Sequence, residues 1–124
     1  MGNRVGRVMR MFPVKLRPGV TPDQFERFLE EDWVEVFSST PGVRSYVLKG
    51  ILGAEVGRYL LVVEFDRVET RDLYWPPSGE SELYKQVSAK GMSAPESIRA
   101  EERWATLVPP DYVEGFTDWE LVAE

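Results

Sequence analysis

The segment from Arg58 to Phe65 places the strongest constraint on how this chain folds. Its length and its aromatic and β-branched side chains are typical of a single strand. Alternate side chains of a strand point to opposite faces, so Leu61 and Val63 lie on one face and Leu60 and Val62 on the other. A strand of a sheet covered on one side only alternates between apolar and polar residues. We therefore expect this strand to be covered on both faces.

Composition limits the classes of function. The chain has 124 residues, the size of one domain, so we expect a single domain over residues 1–124. Its 15 basic and 21 acidic residues give a net charge of -6, which argues against a nucleic-acid partner or an anionic membrane surface. No run approaches the roughly 20 apolar residues of a membrane span, so we expect a cytoplasmic protein.

Cysteine and histidine are both absent from the sequence. The first absence excludes disulfides, cysteine-ligated zinc and thiol catalysis. The second removes the commonest metal ligand and the usual general base near neutral pH. We therefore expect no metal site and no cofactor.

Turn and capping signals define the first half of the chain. Val8 to Leu16 is predicted as the first strand, in which Pro13 requires a bulge or a locally unpaired side. Thr21-Pro22-Asp23-Gln24 has the pattern of a capping box and predicts a helix that runs to about Phe37 or Ser38. Val43 to Lys49 is the second strand, and it forms a hairpin with the segment at 58–65.

The second half contains weaker signals. Asp66, with Glu69 three residues later, predicts the start of a second helix. Further helical segments are predicted at about 80–89 and 95–104, and a last strand from Phe116 to Val122. The element order is therefore β-α-β-β-α-β, the ferredoxin-like arrangement, with a helical insertion at about 76–108.

A ferredoxin-like sheet carries its helices on one face only. The second apolar face of the third strand then requires other cover, and a second copy of the sheet, related by a two-fold axis, supplies it most simply. We therefore predict a homodimer in which two four-stranded sheets pack face to face. Local cover by the segment between Trp75 and Trp104 is the rival explanation.

Three stretches resemble a known group of proteins. Residues 25–33 (FERFLEEDW), 41–47 (PGVRSYV) and 63–72 (VEFDRVETRD) are similar to EthD-type and NIPSNAP-type dimeric α+β barrel proteins. The resemblance implies the dimeric α+β barrel fold far more than any reaction, because the wider superfamily includes cofactor-independent monooxygenases, isomerases, haem enzymes and members with no known activity. EthD-type members often carry a histidine near the position of Asp32 or Trp33, and this chain has none.

Three polar residues are candidates for catalysis. Asp32 falls in the middle of the apolar stripe of the first helix, so it has a charged partner, reaches water in a cavity, or is neutral with a raised pKa. Its functional role would be a general base or a substrate anchor in a pocket, and the alternative is a buried ion pair or a cap of nearby backbone. Arg10 and Glu64 are the odd polar residues on the two central strands. Arg10 is predicted to pair with Glu64 across the ladder or with Asp32 above it, as a fixed ion pair or as a clamp for a ligand carboxylate.

Aromatic residues are candidates for a ligand pocket, with core and dimer packing as the alternative. They are Trp33, Tyr46, Tyr59, Tyr74 and Trp75. The function that follows is the binding of a small apolar or aromatic ligand between the first helix and the sheet. The alternatives are a cofactor-independent monooxygenase or isomerase, and a non-catalytic subunit that binds a partner through the segment between Trp75 and Trp104.

Overall fold

The computed structural model describes residues 4–34, 40–86 and 95–124. The strands are β1 (Val8–Val14), β2 (Val43–Lys49), β3 (Tyr59–Phe65) and β4 (Thr117–Glu120). The helices are α1 (Pro22–Glu31), α2 (Val68–Tyr74) and α3 (Pro95–Leu107), and a 3-10 helix (Pro110–Gly115) precedes β4. Residues 82–86 are also helical.

The four strands form one antiparallel sheet in the order β2-β3-β1-β4. With α1 between β1 and β2, and α2 and α3 between β3 and β4, this is the ferredoxin-like fold that the element order predicts. The register is continuous through Pro13, which lies opposite Leu60. The β4 ladder ends at Met11, so Pro13 lies beyond the paired part of that edge.

The sheet has two distinct faces. The covered face lies beneath the helices and carries, among others, Arg10, Phe12, Leu61, Val63 and Asp118. The open face carries the alternate residues of the same strands, namely Met9, Met11, Tyr46, Leu60, Val62, Glu64 and Trp119. In the described part of the chain, both core clusters take their strand residues from the covered face alone.

Helix α1 begins as its sequence predicts and ends earlier. Gln24 N–H donates to Thr21 Oγ1 at 3.2 Å, and Thr21 N–H donates to Gln24 Oε1 at 2.8 Å, which completes the capping box. The predicted end at Phe37 or Ser38 is wrong, because Asp32 is already the C-cap, with φ -130° and ψ 0°. Residues 35–39 lie outside the described ranges.

The turn into β2 requires glycine at position 42. Gly42 has a φ of +78°, and a Cβ there would lie 2.8 Å from the carboxyl carbon of Asp66. The Asp66 N–H in turn donates to the Gly42 carbonyl at 2.8 Å. The predicted N-cap of α2, Asp66, is wrong: Arg67 occupies that position. The Asp66 carboxylate instead accepts a hydrogen bond from the Thr70 hydroxyl.

Helix α3 belongs to the segment predicted as an insertion, and it extends to Leu107 rather than Trp104. It packs over α1: the Trp104 ring lies 5.8 Å from Phe25 and 6.1 Å from Phe28, centre to centre. The end of the helix predicted at 80–89 lies outside the described ranges. None of the helices described has the length and apolar character needed to cross a bilayer.

Candidate functional site

A cavity of about 520 Å³ lies between the covered face and the helices. Strand residues such as Arg10 and Leu61 line it from the sheet, and Phe28 and Ala100 line it from α1 and α3. Its volume falls within the range of pockets that hold small organic molecules.

Much of the cavity wall is a row of aromatic rings. The Trp33 ring lies 6.0 Å from Trp104, and Trp104 lies 5.4 Å from Tyr112, measured between ring centres. Phe12 follows, 5.8 Å from Tyr112 and 6.1 Å from Phe116. These separations are typical of edge-to-face and tilted ring pairs. All five residues line the cavity.

Arg10 continues this row. Its guanidinium carbon lies 4.2 Å from the ring centre of Phe116 and 5.3 Å from that of Trp75, and Trp75 lies 4.4 Å from Tyr84. Arg10, Trp75 and Tyr84 also line the cavity. We call the five rings from Trp33 to Phe116, together with these three residues, the aromatic arc. It provides π faces for a flat ligand and one buried cation.

Local sequence explains how these side chains meet. Arg10 and Phe12 are two residues apart on β1, so strand alternation places both on the covered face. Tyr112 lies within the 3-10 helix and Phe116 directly follows it, beside β1. Trp75 is the C-cap of α2, and its N–H donates to the Arg71 carbonyl at 2.7 Å.

A bidentate ion pair fixes Arg10. Its Nε donates to Asp118 Oδ1 at 2.7 Å and its Nη2 donates to Asp118 Oδ2 at 2.9 Å. Arg71 Nη1 donates to the same Oδ2 at 2.7 Å. Burial acts to raise the pKa of Asp118, but the hydrogen bonds from the two arginines outweigh it, so the pKa lies below its ordinary value. The carboxylate is therefore ionised at neutral pH, and Arg10, 8% exposed, is held in one orientation.

Two further polar groups of the arc are buried. The Trp104 indole Nε1 is buried, and it has no hydrogen-bond acceptor among the described residues. Burial raises the pKa of Tyr112, so its phenol is neutral at physiological pH. The Tyr112 phenol is therefore a neutral group of the wall, whereas Trp104 Nε1 has almost no exposed surface and does not open onto the cavity.

The predicted pairing of Arg10 with Glu64 or with Asp32 is wrong. In the β1–β3 register Arg10 lies opposite Val63, whereas Glu64 lies opposite Met9 and belongs to the open face. Glu64 accepts from Arg7 Nη1 at 3.0 Å and from the Tyr46 hydroxyl at 2.7 Å. The partner of Arg10 comes instead from β4, whose Asp118 is opposite it in the ladder. Of this predicted pair, only Arg10 reaches the cavity.

Asp32 takes the first of its three predicted alternatives, a charged partner. Arg99 Nε donates to its Oδ1 at 2.9 Å and Arg103 Nη1 donates to its Oδ2 at 2.8 Å. The hydrogen bond from Arg103 lowers the pKa of Asp32, and Arg99 acts in the same direction against the effect of burial. A general base in a pocket needs the opposite shift, and Asp32 is not among the residues that line the cavity.

The five aromatic candidates divide into three groups. Trp33 and Trp75 line the cavity. Tyr59 and Tyr74 are buried in the two core clusters, and the Tyr59 hydroxyl donates to Glu26. Tyr46 lies on the open face, where it is hydrogen-bonded to Glu64. Only the first two are brought together at the site.

Sequence reasoning missed five members of the arc: Phe12, Tyr84, Trp104, Tyr112 and Phe116. Phe12 was detectable, because it shares a strand face with Arg10. Tyr112 follows Pro109-Pro110 in a stretch where no element was predicted, and Phe116 was placed at the start of the last strand. The position of Trp104 depends on how α3 docks against α1, and no local pattern specifies that.

Solved structures share this fold. An uncharacterized NIPSNAP-like domain protein from Burkholderia xenovorans is 12% identical, with 96% of this chain and 86% of that chain covered and a TM-score of 0.53. A NIPSNAP family protein with unknown function from Agrobacterium tumefaciens is 11% identical, with 94% and 87% covered and a TM-score of 0.53. A dimeric protein of unknown function with a ferredoxin-like fold from Bacteroides fragilis is 18% identical, with 93% and 96% covered and a TM-score of 0.49.

The two NIPSNAP likenesses confirm, at the level of fold, the resemblance that residues 25–72 indicate. At these identities they show the fold alone. No family model matches the chain, and no curated protein matches it significantly.

Proposed function

We propose that this protein binds a small, flat aromatic molecule in the cavity beneath its helices. The observation that carries the proposal is the aromatic arc around a space of about 520 Å³. Rings such as Trp33, Trp104 and Tyr112 offer stacking and edge contacts that suit another ring system. Pockets that are mostly apolar, with a few fixed polar groups, are the usual form of a small-molecule site.

Binding is favoured over turnover because the three residues predicted for catalysis do not converge. Arg10 lines the cavity, Glu64 lies on the opposite face of the sheet, and Asp32 is held by two arginines away from the cavity lining. A binding role for the cavity needs only the aromatic arc, which includes Arg10.

Partner binding through the segment from Trp75 to Trp104 is less favoured. Trp75 and Trp104 pack against the core clusters, and Tyr84 does the same. Of the described residues in this segment, Leu83 and Ile98 are the large apolar side chains that are exposed. These two do not form the broad apolar patch that a docking surface needs.

A thermal-shift titration with 2-naphthol tests the binding proposal. A ligand that binds only the folded chain stabilises it by about 2.7 kcal/mol when present at roughly 100 times its dissociation constant, so the midpoint of unfolding should rise with concentration and saturate. The matched variants are Ser45→Phe, which adds a ring at the cavity wall, and Leu48→Phe, which adds one on the opposite face.

Ser45→Phe should weaken or abolish the shift, and Leu48→Phe should leave it unchanged. The proposal fails if 2-naphthol produces no saturable shift. It also fails if the two variants respond to 2-naphthol alike.

We further propose that the working form is a homodimer joined through the open face. Its apolar side chains are Met9, Met11, Leu48, Leu60, Val62 and Trp119. Trp119 is 57% exposed and Leu48 is 44% exposed, and exposed apolar side chains of this kind on a sheet face favour association. The same face carries Glu64 beside Arg7 and Arg44, so a two-fold copy finds both signs of charge opposite it.

Sedimentation measures this directly. The wild-type chain should sediment at twice the 14.2 kDa mass of one chain. Trp119→Glu, on the edge strand β4 of the proposed contact, should shift it to a single-chain mass, whereas Leu73→Glu, on the exposed side of α2, should not. A wild-type chain that remains single at tens of micromolar would contradict the proposed dimer.

A further inference from the structure

The polar groups of the cavity wall differ in whether they have hydrogen-bond partners. Arg10 donates to Asp118 through Nε and Nη2, and its Nη1 donates to no described residue. Trp104 also lines the cavity, but its Nε1 has almost no exposed surface, so a molecule in the cavity does not reach that atom. Arg10 Nη1 can only donate, since a guanidinium cannot accept a hydrogen bond.

An unpaired buried donor destabilises the protein until an acceptor reaches it. A ligand that supplies only apolar surface would exclude water from Arg10 Nη1 and leave it unpaired. A ligand that carries an oxygen acceptor next to its ring system would satisfy this donor with a charge-assisted hydrogen bond. The wall therefore selects for acceptors on the bound molecule.

The charges near the cavity indicate which kind of acceptor the ligand carries. The lining residues that are charged are Arg10, Glu80 and Glu101. Both glutamates are exposed, so water and salt screen them, whereas Arg10 is buried and interacts more strongly with a nearby charge. Asp118 neutralises Arg10 only in part, because it also accepts from Arg71.

We propose that the ligand of this cavity is an aromatic carboxylate, with its rings against the aromatic arc and its carboxylate on Arg10 Nη1. This inference rests on the proposed function and adds the ligand's charge and its anchor. Arg10 then has two roles: Asp118 fixes its orientation, and Nη1 meets the ligand.

Isothermal titration calorimetry with three probes of one shape tests the ligand class. The probes are 2-naphthoate, 2-naphthamide and 2-naphthylmethylammonium, which carry an anionic, a neutral and a cationic group on the same ring system. We expect 2-naphthoate to bind about tenfold more tightly than 2-naphthamide, the size of effect expected from one charge-assisted hydrogen bond. The ammonium should bind most weakly.

A variant of Arg10 identifies the anchor. Arg10→Gln should abolish the preference for 2-naphthoate over 2-naphthamide. Arg7→Gln, which removes the arginine of the open-face ion pair, is its matched control and should leave that preference unchanged. If Arg10→Gln does not fold, the order in which the wild-type chain binds the three probes still decides the ligand class.

The outcomes separate the two proposals. If none of the probes binds, the binding function itself fails. If the three bind equally, or the ammonium binds best, the cavity takes aromatic molecules but the inferred carboxylate is wrong. If Arg10→Gln and Arg7→Gln show the same preference among the probes, Arg10 is not the anchor and the proposed contact is overturned.

Discussion

Both faces of the sheet combine apolar residues with an ion pair, but the helices lie over only one of them. Each embeds an ion pair in an apolar surface: Arg10 with Asp118 on the covered face, and Arg7 with Glu64 on the open face. Beneath the helices the pair is shielded, and Arg10 lies among aromatic rings at a cavity. On the open face the Arg7 side chain is one-third exposed. We therefore expect residues of the covered face to contribute more to the free energy of unfolding than the matching residues of the open face.

The largest difference between the faces should appear in apolar truncation. Phe65→Ala removes a fully buried ring of the covered face and should lower the free energy of unfolding by about 3–5 kcal/mol. Leu48→Ala on the open face should cost about 1 kcal/mol or less. Urea unfolding measures both, at concentrations where the chain sediments as a monomer. Equal costs would contradict the division between the faces.

Breaking each ion pair should show the next largest contrast. Asp118→Asn leaves Arg10 buried without its carboxylate and should cost about 2–3 kcal/mol. Glu64→Gln leaves Arg7, whose side chain is 34% exposed, without its carboxylate partner, and should cost about 1 kcal/mol or less because water solvates the freed guanidinium. Chemical denaturation at neutral pH compares the two variants. A larger loss of stability in Glu64→Gln than in Asp118→Asn would contradict this expectation.

Acid should weaken the covered face through Asp118. Its pKa is lower in the folded chain than in the unfolded one, so the unfolded chain binds the proton first as pH falls. The associated stability is present above the ordinary Asp pKa of about 3.9 and is lost as pH falls through the lower folded value. Asp118→Asn should therefore flatten the acid limb of stability against pH, and an unchanged limb would show that Asp118 has no such role.

The smallest expected effect concerns the Tyr46 hydroxyl, which lies on the open face. Burial, followed by the hydrogen bond to Glu64, raises the pKa of Tyr46 to about 12. Tyr46→Phe should cost about 1 kcal/mol, as for one ordinary hydrogen bond, and should remove one late-titrating phenol from the alkaline absorbance curve. In Glu64→Gln that phenol should titrate at lower pH. No change in its titration would exclude the hydrogen bond.

Local patterns predicted the fold well. The capping box at Thr21, the bounds of β2 and the two-sided character of β3 all follow from residues close together in the sequence. The end of α1 was predicted incorrectly, because a helical wheel cannot show that Asp32 leaves the helix to meet Arg99 and Arg103, which lie 67 and 71 residues away.

The site was only partly predictable, for a related reason. Arg10, Trp33 and Trp75 stood out as unusual residues, and the structure places all three at the cavity. The partner of Arg10 was misassigned because the sequence does not reveal which neighbouring strand supplies the charge; that follows from the β1–β4 register. Trp104 reaches the cavity through helix docking, which depends on contacts far apart in the chain.

The four tryptophans of the sequence divide between the faces, which gives the most direct test. Trp33, Trp75 and Trp104 line the cavity, and Trp119 lies on the open face. In a ¹H–¹⁵N NMR titration with 2-naphthoate, with indole signals assigned by single Trp→Phe variants, we predict that the three cavity indoles shift together and saturably while Trp119 does not. Movement of the Trp119 signal alone, or of none of the four, would contradict a ligand site beneath the helices.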